Sequence, residues 1–381
     1  MKTRMLLSKG NPVLAGLIKK LRQNADDQMR VALWCVTTKS FTPPSGDKHD
    51  YVSLASYFWP NPNTPDGLPY VPRDGEINPE THNYDRDRLD GMAKLVHTLA
   101  LAYYFTGDEA YARRAADQLR MWFVNSDTRM NPDLRYTQMI RGKNSGRPSG
   151  IIETEVLTQV VDADALLAGS DSWPSFDHRR LQLWFKYYLR WLLKAGQLES
   201  LSSANHGTYY DLQAADFALF VGQDHLAKNI IDTAKTKRIA KQITPEGLQP
   251  KELARTKSWH YVQLNLTGLF KLARLGEHVG MDIWHYQTAD GRSIRHALDW
   301  LVPYAVGDKP WKYKQIAYRH NDMMVYLLRQ AANVYKDPAY ENAIGRLTRV
   351  KAETLEETNL LYPSAQLIQS PNKVSRTGIL K

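Results

Sequence analysis

The chain reads as all-α: an (α/α) toroid, or barrel, of about six or seven helical hairpins with a long N-terminal loop over its cleft. Two observations lead there. From about residue 88 onward, apolar residues recur at helical spacing in one segment after another. The connectors are as short as Gly107-Asp108 and Gly222-Gln223, lengths expected between antiparallel helix neighbours. No alternating strand series interrupts them. At 381 residues the chain is long for one ordinary domain, yet a ring of helical hairpins reaches this size as a single unit, so residues 1–381 are expected to form one domain. A two-layer helical solenoid is the rival arrangement, and successive pairs are too dissimilar to read as a sequence repeat.

In chain order, residues 11–40 look helical, with Leu14, Leu17, Ile18 and Leu21 at i, i+3, i+4 and i+7. Residues 41–87 break that pattern. Between Trp59 and Pro79 lie Pro60, Pro62, Pro65, Pro69, Pro72 and Pro79, each removing a backbone donor and turning its predecessor away from helix. This segment is expected to be irregular or extended, and its aromatic residues Tyr51, Tyr57, Phe58, Trp59, Tyr70 and Tyr84 argue that it is ordered and functional. Helices are then expected over 89–106, 108–123, 151–167, 179–195, 207–221, 225–242, 251–275, 293–302, 317–334 and 339–349.

Composition narrows the function. Lys and Arg total 50 against 40 Asp and Glu, a net charge of +10, which favours a polyanionic partner. The basic residues are dispersed, and no zinc-finger or RNA-binding signature is present, so nucleic acid is not the expected partner. Ten Trp and 21 Tyr against 9 Phe suit a groove in which sugars stack and hydrogen-bond, although most individual aromatics are expected to be packing residues. Cys35 stands alone in the apolar run 31–36 and is expected to be a small buried hydrophobe. No metal or other cofactor is expected: there is no HExxH, no Cys-His cluster and no phosphate-binding Gly-rich loop. No apolar stretch is long enough for a membrane span, and residues 1–10, charged and without a long apolar run, are not expected to be an export signal, although one removed earlier would leave the same sequence.

The most informative residues are Asn205-His206 and, some fifty positions on, 252–261 with Glu252, Arg255, Trp259, His260 and Tyr261. Together they supply an amide, an imidazole, a guanidinium and a phenol. The polar stretch 201–204 is able to cap a helix beginning near Gly207, whose N-terminal end attracts anions. In the second segment Arg255 is spaced to pair with Glu252 at i,i+3. Tyr261 follows Arg255 by six residues, roughly 120° away on a regular helix, so periodicity alone does not bring those two together.

Four segments in order resemble the alginate lyases of polysaccharide lyase families five and thirty-eight. They are 51–84, with Tyr57-Phe58-Trp59-Pro60, Gly67-Leu68-Pro69-Tyr70, Arg73-Asp74-Gly75 and Asn78-Pro79; 146–154, Gly-Arg-Pro-Ser-Gly-Ile-Ile-Glu-Thr; Asn205-His206; and 252–261. The likeness spans roughly residues 50–270. It implies a polyuronate substrate, most plausibly alginate, cleaved by β-elimination, with Asn205 and Arg255 holding the carboxylate and His206 and Tyr261 handling protons. On that reading Arg255 also draws the Tyr261 phenol toward phenolate. Tyr57, Trp59 and Arg73 are candidates for a lid or stacking platform, and Arg147, Trp259, His260, Arg319 and His320 for further substrate contacts. An acidic polysaccharide is then the partner, the protein is expected to be a monomer, and the expected compartment is the periplasm or the exterior. Two rival functions remain: a glycoside hydrolase using carboxylates such as Glu153, Asp162, Asp164 and Asp211, and a non-catalytic glycan binder.

Overall fold

The computed structural model describes residues 10–364 and Leu367. Asn11 opens the first helix, α1 (Pro12–Arg30): its side-chain oxygen accepts the backbone N–H groups of Val13 and Leu14 at 3.1 and 3.2 Å, and Pro12 pre-sets the first helical φ. The helix ends at Arg30 rather than near residue 40. Beyond it Gln118 captures the Trp34 backbone on both sides, accepting from its N–H at 2.7 Å and donating to its carbonyl at 2.8 Å. That tertiary pairing replaces helical hydrogen bonds in a stretch rich in β-branched residues, which are weak helix formers. Cys35 is buried beside it, as its apolar neighbours suggest.

The remaining helices are α2 (Arg86–Thr106), α3 (Glu109–Leu119), α4 (Leu157–Leu166), α5 (Ser175–Ala195), α6 (Asn205–Phe220) and α7 (Asp224–Ala234), followed by α8 (Ser258–His278), α9 (Ile294–Ala305), α10 (Asp322–Tyr335), α11 (Pro338–Arg346) and α12 (Ala352–Leu361). Even-numbered helices pack side by side, α2 on α4, α4 on α6, α6 on α8, α8 on α10 and α10 on α12, and α1 closes the circuit by packing on both α12 and α2. The odd-numbered helices α3 to α11 cover this ring from outside. Five hairpins therefore follow the chain, and the sixth pair joins its two ends. There Lys20 pairs with Glu356, and Leu360 shares a core cluster with Leu21 and Ala25.

Helix α6 carries apolar side chains to both halves of the core. Tyr210, Ala214 and Phe217 join the cluster toward α2 and α5, while Tyr209, Leu212 and Ala215 join that of α8 to α11. A helix buried on two sides loses its polar face, which is why α6 is buried along nearly all its length. Inside the ring, Lys271 reaches Glu155 at 3.5 Å, and burial raises the pKa values of the neighbouring Asp162 and Asp216.

Residues 41–87 are extended, as the prolines require, yet they hold strands too short to leave an alternation in sequence. Strand β1 (Val52–Leu54) lies parallel to β4 (Tyr136–Met139), Val52 opposite Tyr136. Strand β2 (Phe58–Trp59) lies antiparallel to β3 (Val71–Pro72), Phe58 opposite Pro72. The base of this segment is fixed by a fully buried ion pair, Lys39 Nζ to Asp85 Oδ2 at 2.7 Å, beside the start of α2. Asp85 also accepts the Val52 N–H at 3.0 Å, and the Tyr51 hydroxyl donates to Glu153 at 3.0 Å. Such a pair is rigid because removing either partner strands a buried charge. Among the described residues, no helix is long and apolar enough to cross a membrane.

Candidate active site

The first half of the site is built by a turn that a buried arginine holds in place. Helix α6 begins at Asn205 itself, and the residue before it, Ala204, contributes no side-chain cap. The expected capping role for the 201–204 stretch is therefore not taken up. Instead Arg238 donates to the carbonyls of Ser202 and Ser200 at 2.6 and 2.8 Å and forms a two-bond pair with Asp211 at 2.8 and 3.0 Å. Gly207 is required by this arrangement. A Cβ there would lie 2.1 Å from the Ser202 carbonyl oxygen and 2.3 Å from Arg238.

Each of the two residues that open α6 is then gripped by its own glutamate. Asn205 donates its backbone N–H to Glu252 Oε1 and its side-chain amide to Glu252 Oε2, both at 2.7 Å, and is only 1% exposed. Burial raises the pKa of Glu252 and the two Asn205 bonds oppose the rise, with Arg255 and His206 adding favourable charge. His206 lies with Nδ1 2.8 Å from Glu199 Oε2. A carboxylate can only accept, so the proton sits on Nδ1 and Nε2 is left as the basic nitrogen.

The second half comes from a break in what the sequence suggests is one helix over 251–275. The chain makes one turn at Pro250–Leu253, leaves helical geometry over 254–257, and enters α8 at Ser258. That break removes the 120° separation: Arg255 Nη2 donates to the Tyr261 hydroxyl at 2.8 Å, with the guanidinium carbon 3.7 Å from the ring centroid. Glu252 is taken by Asn205, so Arg255 pairs with Asp74 instead, Nη2 to Oδ1 at 2.6 Å. Thr256 reinforces Asp74 through its N–H at 3.1 Å and its hydroxyl at 2.9 Å. Burial alone would raise the Asp74 pKa, but these donors outweigh it and hold it at about 2. Asp74 thus keeps its charge down to strongly acidic pH, and the segment carrying it stays latched to Arg255.

From the same segment Tyr57 meets Tyr261, hydroxyl to hydroxyl at 2.7 Å. The consequence for Tyr261 differs from the expectation that Arg255 draws it toward phenolate. Burial raises its pKa, the Tyr57 hydrogen bond raises it further, and the Arg255 charge recovers only part, so the phenol stays protonated. His260, beside it, is held neutral by burial and by the charges of Lys257 and Arg255.

Asn205 is thus bonded to Glu252, whose charge is within electrostatic reach of Arg255 and His206, and Arg255 in turn holds Tyr261, which meets Tyr57. The other candidates divide. Arg147 donates to Gln138 at 2.8 Å and lies over Phe58 at 5.0 Å, within electrostatic reach of Glu199. Trp59 has its face covered by Arg73 at 5.0 Å, and its N–H donates to the Glu76 carbonyl, so these two brace one another. Trp259 is a correction: it is 1% exposed and holds the His320 carbonyl at 3.0 Å, hence a core residue rather than a cleft wall. Arg319 stacks on its face at 4.3 Å, and His320 is exposed beside Tyr318. Helix α10 starts at Asp322 rather than near residue 317, leaving 311–321 as a strip running beside 256–258. Sequence reasoning missed Glu199 and Asp74 as partners, and gave Glu252 to Arg255. Among the described residues, no cluster of three side chains able to ligate a metal occurs.

A helical toroid that gathers an amide, an imidazole, an arginine and a protonated tyrosine has the makings of a polysaccharide lyase. The family model described as alginate lyase matches residues 35–311. The chain belongs to the alginate lyase family. It is similar over 95% of its length to an alginate lyase from Bacteroides ovatus, of which it covers 96%, at 36% identity and a TM-score of 0.89. It also shares its fold with alginate lyase A1-III from Sphingomonas species A1, at 17% identity and a TM-score of 0.57 over 91% of this chain and 94% of that one. A variant of alginate lyase A1-III complexed with a tetrasaccharide gives a TM-score of 0.58 at 16% identity, covering 91% and 93%. No curated protein gives a match to the chain.

Proposed function

We infer that this protein cleaves alginate by β-elimination, with Tyr261 as the acid, His206 as a base, and Asn205 and Arg255 as the carboxylate clamp. The observation that carries the assignment is the Tyr261 hydroxyl. It is buried, held by Arg255 at 2.8 Å and by Tyr57 at 2.7 Å, and kept protonated. Elimination breaks the C5–H and C4–O4 bonds of a uronate and forms the C4–C5 double bond. The C5 proton is too weakly acidic until charge developing on the adjacent carboxylate is stabilised, a task suited to the Arg255 fork and, by likeness to the family, to the Asn205 amide. On this reading Tyr261 gives its proton to the departing O4, and His206 Nε2 takes the C5 proton from the other face. The hydrolase candidates have other posts: Asp211 is committed to Arg238, Asp164 to Trp173 and His178, Glu153 is buried against Tyr51, and Asp162 is buried inside the ring within reach of the Lys271 charge. Because the substrate is an extracellular polymer, we place the protein in the periplasm or outside the cell.

Incubation with mannuronate blocks, guluronate blocks and glucuronan tests the reaction. A lyase leaves unsaturated non-reducing ends that absorb ultraviolet light, and saturated ends would overturn the proposal. The grip of Glu199 makes a second expectation. Glu199→Gln keeps the size but lets an amide N–H turn toward Nδ1, favouring the wrong tautomer. Turnover should fall by about 10- to 100-fold with KM little changed, by analogy with other residues that orient a reactive imidazole. Steady-state kinetics, with nitrogen NMR of the imidazole, checks it. Wild-type turnover with an unchanged tautomer would show that Glu199 does not act through His206.

A further inference from the structure

Beyond the cleft, the strip 311–319 carries a groove of about 420 Å³ lined by Trp311, Tyr313, Tyr318, Arg319 and Arg349. It is physically continuous with the catalytic segment. Lys257 and Gln315 form an antiparallel bridge, the Ile316 N–H donates to the Thr256 carbonyl at 3.0 Å, and the Ser258 N–H donates to the Lys314 carbonyl at 3.2 Å. The Asp74 side of the lid rests on the same strip, since a Cβ on Gly75 would meet Thr256 and Ile316.

Its charge is unbalanced. Burial and then the positive charge of nearby Arg349 lower the pKa of Arg319, which donates to the Tyr304 carbonyl at 2.9 Å, and among the described residues neither arginine forms an ion pair. Lys257, Lys312 and Lys314 are likewise unpaired there, whereas Arg346, three residues before Arg349, pairs with Asp308. Unpaired like charges repel one another, and an anion between them relieves that cost. The rings offer the complementary contact. Tyr318 is 64% exposed, with Arg349 lying 5.1 Å from its centroid. Arg349 occupies the left-handed region at φ 60°, a conformation held by its own carbonyl accepting the Asn321 N–H at 3.1 Å.

We propose that this groove is a distal subsite for a uronate residue several sugars from the cleaved bond. Tyr318 stacks on the sugar, and Arg349 with Arg319 binds the carboxylate. The proposal rests on the lyase reading for its substrate, and its position makes binding there depend on chain length.

The test compares kcat/KM on alginate oligomers of increasing length for wild type, Tyr318→Ala and Arg349→Gln, with a binding arm that needs no turnover. On long oligomers and polymer both variants should lose about tenfold in kcat/KM through KM, with kcat retained. On the shortest cleavable oligomer they should match wild type. The loss should shrink as salt is raised. Equal losses at every length, or none at any, would overturn the subsite. If the wild type forms no unsaturated product from any polyuronate, the lyase reading fails first. Retardation of the same proteins in gels containing alginate then decides the groove: weaker retardation of both variants supports it, and unchanged retardation overturns it.

Discussion

Tyr261→Phe is expected to lower turnover by about 1,000-fold or more, the upper range for removing a positioned proton donor, while oligosaccharide binding stays within a few-fold. The substitution deletes one oxygen and leaves the buried ring against Arg255. The loss therefore falls in the transition state, in kcat rather than in KM. The pH profile supplies an independent check. Because the folded-state pKa of this phenol is raised, the donor form persists through the neutral and mildly alkaline range, and no alkaline loss of rate should trace to Tyr261 below its ordinary value of about 10. Turnover near wild type in the Phe variant, measured by absorbance of the unsaturated product, would remove Tyr261 from the chemistry.

Arg255→Lys is expected to cost about 100-fold in kcat/KM although the charge is kept. The guanidinium makes three contacts at once: to the Tyr261 hydroxyl, to the Asp74 carboxylate and across the Tyr261 ring. An ammonium cannot reproduce that planar fork. Asp74→Asn separates the roles. It weakens the latch while leaving Arg255 free to hold Tyr261 and substrate, so its cost should be about tenfold, mainly in KM. The latch itself should be insensitive to pH over any working range, since Asp74 loses its charge only near pH 2. Kinetics of the two variants side by side settles the order, and a Lys variant as active as wild type would return Arg255 to a purely structural post.

Periodicity carried the helical reading because helices such as α3, α5 and α7 show apolar spacing, and α2 and α5 stop at glycines. It failed where tertiary partners outbid local preference. Gln118 took the Trp34 backbone and ended α1; the break at 254–257 turned Arg255 toward Asp74 and Tyr261. The identities of Asn205, His206, Arg255 and Tyr261 came from likeness to a family, because no spacing rule places residues fifty apart in one cleft. Glu199 and Asp74 were illegible for the same reason: acidic residues are common, and only the fold says which one meets which base. Trp259 shows the reverse error, an aromatic beside reactive residues that serves the core.

The seam between α1 and α12 has a bearing on how the molecule is made. These helices lie more than three hundred residues apart in sequence, so their contact closes one of the longest loops available to the chain. Hairpins α2–α3 and α10–α11 assemble from near neighbours, and such local contacts form fast. During synthesis α1 is made long before α12, so the Leu21 and Ala25 side that shares a cluster with Leu360 lacks that partner until α12 is made. A permuted chain that joins the two ends by a short tether and opens at an outer turn would replace that slow encounter with a local one, and should refold faster to the same ring.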